Sequence, residues 1–243
     1  MNTYKIFNNI AAEGLSVLSN HHFKEVTDNP DGLLLRSYKL NKNDFGKNLV
    51  CIARAGAGTN NIPIDDATKK GIVVFNTPGA NANAVKELVI CGMLLSSRGI
   101  IEGIDFAKNL ALEDAEDLNK TMEAQKKIFA GNELAGKTLG IIGLGSIGSM
   151  LAQAAQTLGM NLVGYDPHIS IEGAWRLPRE VEKAETMEAL LQQADYVSLH
   201  VPLVEATKNL INASNLKKFK KGARLINLSR GGIVNTNDVI DEL

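Results

Sequence analysis

Three glycines at fixed spacing near the middle of the chain are well suited to binding a ligand. They belong to the motif Gly-Leu-Gly-Ser-Ile-Gly, which covers residues 143–148 and directly follows a strand pattern at residues 137–142. In such a motif the first glycine permits a tight turn, the second lets the backbone approach a diphosphate, and the third lets helix and strand pack closely. A helix that begins here also presents free N–H groups to phosphates. The predicted dinucleotide-binding residues are Gly143, Gly145, Ser146, Ile147 and Gly148.

An acidic residue follows this motif at the spacing that dinucleotide sites use. Asp166 comes directly after the apolar run of residues 161–165, and its distance from Gly148 is close to the roughly 20 residues of the common pattern. A carboxylate there accepts hydrogen bonds from the adenosine ribose and repels a 2′-phosphate, so the pattern favours NAD over NADP. The alternative is a glycine-rich turn with a helix-capping aspartate nearby. The order of strand, motif, helix, strand and acid argues against that alternative.

The elements that must position these residues alternate along the whole chain. Short apolar runs separated by helical patterns predict βαβ units and parallel sheets, and therefore an α/β fold. Strands are predicted at residues 4–7, 33–35, 49–53, 72–75, 138–142, 161–165, 195–200 and 224–228. Helices are predicted at residues 11–18, 64–70, 83–101, 147–158, 187–193 and 215–220, with residues 102–130 continuing as helix and a further helix starting at the C-terminus. The acidic residues Glu113, Asp114, Glu116 and Asp117 are predicted to lie on solvated faces.

The composition argues against several other classes of function. A net charge of −1 gives no basic excess for nucleic acid, and 44% hydrophobic residues are ordinary for a globular protein. No apolar run approaches the roughly 20 residues of a membrane span, and the N-terminus lacks the pattern of a signal peptide. Cys51 and Cys91 are predicted to be buried free thiols, and no metal site is predicted. The cytoplasm is the expected compartment.

Four further segments accompany the glycine motif in a characteristic order. They are RAGAGTNN at residues 54–61, NTPGANAN at 76–83, HVPL at 200–203 and NLSRGGIV at 227–234. With these motifs the chain resembles the D-isomer specific 2-hydroxyacid dehydrogenases over nearly its whole length. The resemblance implies NAD-dependent hydride transfer from C2 of a small-molecule 2-hydroxy acid. A phosphorylated acid is the expected substrate; a lactate-, glyoxylate- or hydroxypyruvate-type acid and a non-catalytic NAD-binding role are the alternatives.

The resemblance also implies two α/β domains, with cofactor and substrate between them. Residues 1–96 are expected to form the N-terminal part of a smaller, flavodoxin-like substrate domain. Residues 97–243 are expected to form a Rossmann-type parallel-sheet NAD domain that is incomplete at its C-terminal end. Such enzymes usually assemble as homodimers or homotetramers through the nucleotide domain, and residues 100–130 could supply that contact. No nucleic-acid or membrane partner is expected.

Individual residues take roles from the same resemblance. Arg230 matches the catalytic arginine, which binds the substrate carboxylate with two hydrogen bonds and polarises the C2 oxygen. The remaining cofactor-binding residues are Thr77, Val201, Pro202, Leu228, Ser229 and Arg230 itself. The substrate-binding residues are Arg54, as a partner for a substrate phosphate, and the loop formed by Ala55, Gly56, Ala57 and Gly58.

Each of these roles has a simpler structural alternative. Arg230 could be a surface arginine after a strand, and Arg54 a salt-bridged residue at a strand end. Thr77, which precedes a proline, could supply only a turn hydroxyl. Lys126 and Lys127 match a region that can reach a neighbouring subunit's substrate in phosphoglycerate-type members, although a solvated helix end explains them more simply.

The proton-transfer pair of the family, a histidine held by a glutamate, lies well beyond the Ser-Arg-Gly-Gly motif. This chain ends eleven residues after Gly232, so we expect neither residue within it and little turnover by the chain alone. We also expect a fragment whose truncated sheet has an unpaired edge. His200 ends a strand beside the cofactor loop, but the family does not use a histidine there as its base. His21, His22 and His168 are not expected to substitute for the missing histidine.

Overall fold

The computed structural model describes residues 2–110 and 115–243, with side chains from residue 118 onward in the second range. The chain divides into two compact units, Met1–Asn81 and Ala82–Leu243. Each unit contains one parallel sheet, with five strands among the described residues. The predicted α/β class is therefore confirmed.

The first unit is built on a sheet in the order β2-β1-β3-β4-β5, which is the flavodoxin-like order. Leu33 of β3 lies opposite Ile52 of β4, and both are fully buried on the same face of the sheet. Helix α2 covers this face, ends at Lys69 and is followed by Gly71, whose φ of +70° suits a glycine. The elements are β1 (Thr3–Phe7), α1 (Ala12–Asn20), β2 (Lys24–Glu25), β3 (Gly32–Leu35), a 3₁₀ turn (Lys42–Asp44), β4 (Cys51–Arg54), α2 (Ile64–Lys69) and β5 (Val73–Phe75).

The helical part of the second unit precedes its sheet in the chain. It comprises α3 (Ala82–Ser97), α4 (Ile100–Lys108), α5 (Ala115–Gln125) and a 3₁₀ turn (Lys126–Phe129). The sheet part comprises β6 (Thr138–Ile142), α6 (Ser146–Thr157), β7 (Asn161–Tyr165), α7 (Ile171–Trp175), β8 (Val181–Lys183), α8 (Met187–Gln193), β9 (Tyr196–Leu199), α9 (Ala213–Leu216), β10 (Arg224–Asn227) and α10 (Thr236–Glu242), with 3₁₀ turns at Glu205–Thr207 and Gly231–Ile233.

The strand order of the second unit, β10-β9-β6-β7-β8, places β6 at the centre between β7 and β9. The order reverses between β6 and β9, and ligands of such sheets bind outside the carboxyl ends of the strands at that point. The strands are apolar on both faces because α3 and α6 cover one face and α8 the other. Within the described residues, β10 pairs only with β9 and forms an edge.

Helix α3 explains two differences between the predicted and observed boundaries. Val89 and Met93 of α3 are fully buried in the same cluster as Leu151 of α6, so α3 belongs to the second unit. The observed boundary therefore lies between Asn81 and Ala82, rather than between residues 96 and 97. The predicted helix of residues 83–101 is two helices, because the carbonyl of Ser97 accepts a hydrogen bond from Asn132 and Gly99 lies against Phe129.

Several other local predictions are wrong, and one concerns side chains that the structure does not describe. Helix does not run continuously from 102 to 130, since α4 ends at Lys108. Cys91 is exposed rather than buried, and Cys51 is only partly buried. The expected solvated faces of Glu113, Asp114, Glu116 and Asp117 fall outside the side chains that the structure describes. None of the helices in the described ranges combines the length and apolar character that a membrane span requires.

Candidate functional site

The glycine motif forms the turn between β6 and α6. At two of its positions, a side chain larger than that of glycine would collide with neighbouring backbone. Gly143 has a φ of +93°, and a Cβ there would lie 2.8 Å from the carbonyl carbon and oxygen of His200. A Cβ on Gly148 would lie 2.1 Å from the carbonyl oxygen of Gly143. Only glycine allows helix and turn to approach this closely. These two positions therefore shape the turn itself.

The second glycine of the motif, Gly145, has a different environment. Gly145 is the N-cap of α6, is exposed, and would have nothing within 4 Å of an added Cβ. No side chain caps this helix, and the first N–H groups of a helix have no partners within it. The exposed backbone at Gly145 and Ser146 is therefore available to the phosphates of a dinucleotide. Open space at Gly145, where the backbone would approach a ligand, is what the motif predicts.

Asp166 lies at the carboxyl end of β7 and is held by the backbone on both sides. Its Oδ2 accepts a hydrogen bond from the N–H of Leu144 at 2.8 Å, and its Oδ1 accepts one from the N–H of His168 at 2.9 Å. Each carboxylate oxygen has a second lone pair that a ribose hydroxyl could use. The carboxylate stands beside a cavity of about 470 Å³ whose apolar wall includes Ile169 and Leu177. This arrangement suits the adenosine half of the cofactor.

The loop after β9 contacts the glycine turn from the other side. His200 donates its backbone N–H to the carbonyl of Ile142 at 2.8 Å, and the side chain of Val201 lies against Gly143. Pro202 follows and is exposed. The fold thus brings the predicted residues of this loop next to those of residues 143–148, from which they are distant in sequence.

The segment after β10 is tied to the end of β9. Ser229 donates its hydroxyl to the carbonyl of Leu199 at 2.7 Å, and its N–H binds the side-chain oxygen of Asn227 at 3.1 Å. Leu228 and Arg230 are exposed, and one Arg230 nitrogen donates to the carbonyl of Ser229 at 2.9 Å. The predicted catalytic arginine therefore lies at the carboxyl edge of the same sheet, with its side chain accessible to a ligand.

His200 is partly buried, and its hydrogen bonds do not suit a catalytic base. Its Nε2 is 2.9 Å from the hydroxyl of Ser198, and its Nδ1 is buried without a hydrogen-bond partner among the described residues. Burial lowers the pKa of this imidazole from 6.5 to about 4, because charge is costly away from water. A proton-transferring histidine would need a tuning carboxylate and access to substrate. The geometry agrees with the expectation that His200 is not the base.

The predicted substrate-binding residues lie in the first unit, at the carboxyl end of β4 and in the loop that follows it. Arg54 ends β4, and its guanidinium donates to the carbonyl oxygens of Arg36, at 3.0 Å from Nε, and Gly58. The N–H of Thr77 donates to the carbonyl of Gly56 at 3.0 Å. Thr77 therefore lies beside the 55–58 loop, where Ala55 and Ala57 are exposed. These hydrogen bonds link Arg54, the loop and Thr77 through main-chain carbonyls.

A further exposed arginine, which was not among the predicted site residues, lies beside this group of residues. Arg36 directly follows β3, is exposed, and lies next to Arg54 because Leu35 is the register partner of Arg54 in the parallel pair β3–β4. The sequence feature that could have identified Arg36 is a cation directly after a buried apolar strand. Its importance depends on which strands are neighbours, and the sequence pattern does not specify this.

The two lysines before the NAD-binding sheet remain solvated. Lys126 pairs with Glu123 within the same helical segment, and the side chains of both are mostly exposed. Lys127 is exposed as well. The described contacts of Lys126 match the simpler of the two alternatives, a solvated helix end.

Comparisons with known proteins identify the class to which this fold and site belong. Residues 102–243 match the family model described as D-isomer specific 2-hydroxyacid dehydrogenase, NAD binding domain. The chain is 37% identical over 238 residues to a hydroxypyruvate reductase of Thermotoga maritima, covering 95% of this chain and 72% of that protein. It is also 37% identical over 216 residues to the D-3-phosphoglycerate dehydrogenase of Bacillus subtilis, covering 88% of this chain but only 38% of that enzyme.

Solved structures give the same result. The NAD⁺-bound 3-phosphoglycerate dehydrogenase of Entamoeba histolytica superposes with a TM-score of 0.76 at 26% identity, covering 99% of this chain and 76% of that one. The TT0316 protein of Thermus thermophilus superposes with a TM-score of 0.82 at 25% identity, covering 98% of this chain and 77% of that one. The chain belongs to the D-isomer specific 2-hydroxyacid dehydrogenase family. Its cofactor is NAD, as predicted.

Proposed function

We propose that this chain takes part in the NAD-dependent oxidation of D-3-phosphoglycerate to 3-phosphohydroxypyruvate, the first step of serine biosynthesis, in the cytoplasm. The observation that carries the proposal is the pair of arginines, Arg36 and Arg54, at the ends of adjacent strands in the first unit. Two arginines on neighbouring main-chain segments, if both side chains reach one ligand, suit a phosphate better than a single carboxylate. Similarity to enzymes named D-3-phosphoglycerate dehydrogenase supports the choice.

The proposed roles follow from where each residue lies. Residues 143–148 and Asp166 bind NAD, which accepts a hydride from C2 of the substrate when it is bound. The backbone of residues 55–58 and the guanidinium of Arg230 bind the substrate carboxylate, and Arg230 also polarises the C2 oxygen. Val201, Pro202, Leu228, Ser229 and Thr77 are assigned to the remaining cofactor contacts.

Self-association is a further part of the proposal. The α3–α4 region and the 3₁₀ turn after α5 expose several large apolar side chains, which is the character of an interaction surface. They are Leu94, Leu95, Ile100, Ile101, Ile104 and Ile128. We infer that this surface joins copies of the chain into a homodimer or a homotetramer. A monomeric mass by light scattering at micromolar concentration would reject the inference.

Hydroxypyruvate is the second candidate substrate, because a hydroxypyruvate reductase is as similar in identity as the phosphoglycerate dehydrogenases and is matched over more of its length. Hydroxypyruvate carries a carboxylate and a hydroxyl but no phosphate. The two candidates therefore differ in what Arg36 and Arg54 contribute to binding. A site for the unphosphorylated acid should be insensitive to neutralising Arg36.

The test compares substrates that differ only in the phosphate. We expect the chain, saturated with NAD, to bind D-3-phosphoglycerate at least about tenfold more tightly than D-glycerate by calorimetry, since hydrogen bonds between arginine and phosphate are among the strong ones. Arg36→Gln should remove most of that difference and leave NAD binding unchanged. Equal affinity for the two acids would reject the phosphorylated substrate. NAD binding with no detectable binding of either acid would support the non-catalytic alternative.

A further inference from the structure

Two asparagines hold the short segment from which Arg36 projects. Asn8 follows β1, and its side-chain oxygen accepts hydrogen bonds from the N–H groups of Ser37 at 3.1 Å and Tyr38 at 2.6 Å. Asn61 lies beyond β4, and its side-chain NH₂ donates to the carbonyls of Tyr38 at 2.7 Å and Arg36 at 3.3 Å. The polar groups that these two amides bind are therefore backbone of residues 36–38.

The chemistry of the partners fixes the orientation of both amides. Asn8 meets N–H donors, so its oxygen must face the segment, whereas Asn61 meets carbonyls, so its NH₂ must face it. Asn8 also has a φ of +71°, a conformation that asparagine tolerates better than most residues. The two side chains are thus complementary and hold the same three residues from β1 on one side and from the segment after β4 on the other.

The side chain of Asn61 makes these hydrogen bonds although its own oxygen accepts none. The residue is 8% exposed, and its side-chain oxygen is buried without a partner among the described residues. A buried acceptor without a partner is destabilising, so the two donated hydrogen bonds must offset that cost. The backbone carbonyl of Asn61 also accepts the N–H of Leu40 at 2.9 Å, which extends the attachment of the segment.

The carbonyl of Arg36 connects this arrangement to Arg54. That oxygen accepts hydrogen bonds from both the amide of Asn61 and the Nε of Arg54. The ring of Tyr38 stacks on Phe7 of β1 with centroids 4.3 Å apart, which fixes the other end of the segment. The main chain at Arg36 is therefore held by neighbours from several strands, while its side chain remains exposed.

We propose that Asn8 and Asn61 are positioning residues that hold Arg36 beside Arg54, so that the two cations act together on one phosphate group of the substrate. The proposal rests on the proposed function for the identity of the ligand. Neither asparagine contacts substrate itself. Each acts through the main chain of residues 36–38, whose conformation decides where the Arg36 guanidinium can reach.

The test uses the opposite hydrogen-bonding needs of the two amides. Asn8→Asp keeps the acceptor, whereas Asn61→Asp removes the donor, although the chemical change is the same. With the whole chain and saturating NAD, we expect Asn8→Asp to bind D-3-phosphoglycerate within about twofold of wild type. Asn8→Gly, which tolerates the positive φ, and Asn61→Asp should each weaken it about tenfold and change D-glycerate binding less than about twofold. Equal losses for both acids would overturn the proposal.

A second background separates positioning from general structural damage. In Arg36→Gln, the changes at Asn8 and Asn61 should weaken D-3-phosphoglycerate binding by less than about twofold, because residues that act through one group are not additive. An undiminished tenfold loss in that background would refute the role. If wild type binds the two acids equally, the proposed function fails on its own. Amide exchange of Ser37 and Tyr38 in the ligand-free chain then decides the positioning role: faster exchange in Asn8→Gly, but not in Asn8→Asp, supports it, and unchanged exchange overturns it.

Discussion

Replacing Gly148 with alanine is expected to weaken NAD binding severely and to destabilise the second unit. The added Cβ would lie 2.1 Å from the carbonyl oxygen of Gly143 and 3.2 Å from Ile141 Cγ2, so helix α6 must move away from β6. Overpacking of this kind costs about 2–3 kcal/mol in unfolding free energy. The displaced helix N-terminus would also lose its alignment with the diphosphate. We expect the dissociation constant for NAD to rise by roughly 100-fold or more, which corresponds to about 2.8 kcal/mol.

Gly145→Ala is the matched control for this prediction, since it makes the same chemical change three residues earlier. Gly145 has a φ of −69°, and nothing lies within 4 Å of an added Cβ, so alanine is neither strained nor crowded. We expect its free energy of unfolding to stay within about 1 kcal/mol of wild type. NAD binding should still weaken, by roughly tenfold, because the methyl group occupies space that the diphosphate needs. A Gly148→Ala chain as stable as wild type, or a Gly145→Ala chain with unchanged affinity, would contradict this account of the turn.

His200 is expected to make the second unit sensitive to acid. Its pKa is lowered to about 4 by burial, while the imidazole of an unfolded chain titrates near 6.5. Above about pH 6.5 neither state binds the proton, and the residue contributes no pH dependence. Between about pH 6.5 and pH 4 only the unfolded state is protonated, so the free energy of unfolding falls as the pH falls. The expected loss is about 3 kcal/mol by about pH 4.

Denaturant unfolding across that pH range measures this effect. In His200→Gln the part of the acid loss that comes from the imidazole should disappear, so the difference in unfolding free energy between wild type and variant should change by about 3 kcal/mol between about pH 7.5 and about pH 4. His168→Gln, at an exposed histidine beyond the carboxyl end of β7, is the control for replacing a histidine with glutamine in the same unit. Identical pH profiles for wild type and His200→Gln would show that His200 does not remain neutral in the folded chain.

Much of this protein follows from local sequence. The glycine spacing of residues 143–148, the apolar strand before it and Asp166 after the next strand predict the NAD-binding βαβ unit, because each requirement involves residues close in sequence. The α/β class, the family and the cofactor are confirmed. The strands at residues 138–142 and 161–165 and the helix at 187–193 were predicted with their observed bounds. The individual site roles, including that of Arg230, stay predictions.

Only the tertiary structure decided which distant residues are neighbours. The contact of Gly143 with His200 and Val201, and the adjacency of Arg36 to Arg54, both depend on strand order and register. The break between α3 and α4 depends on residues 129–132 meeting Ser97 and Gly99. Strand pairing and helix contacts over long sequence distances leave no periodic signal in either partner alone. For this reason the amino-acid sequence specified the type of each candidate site residue, and strand order and register within each sheet determined which of them are neighbours.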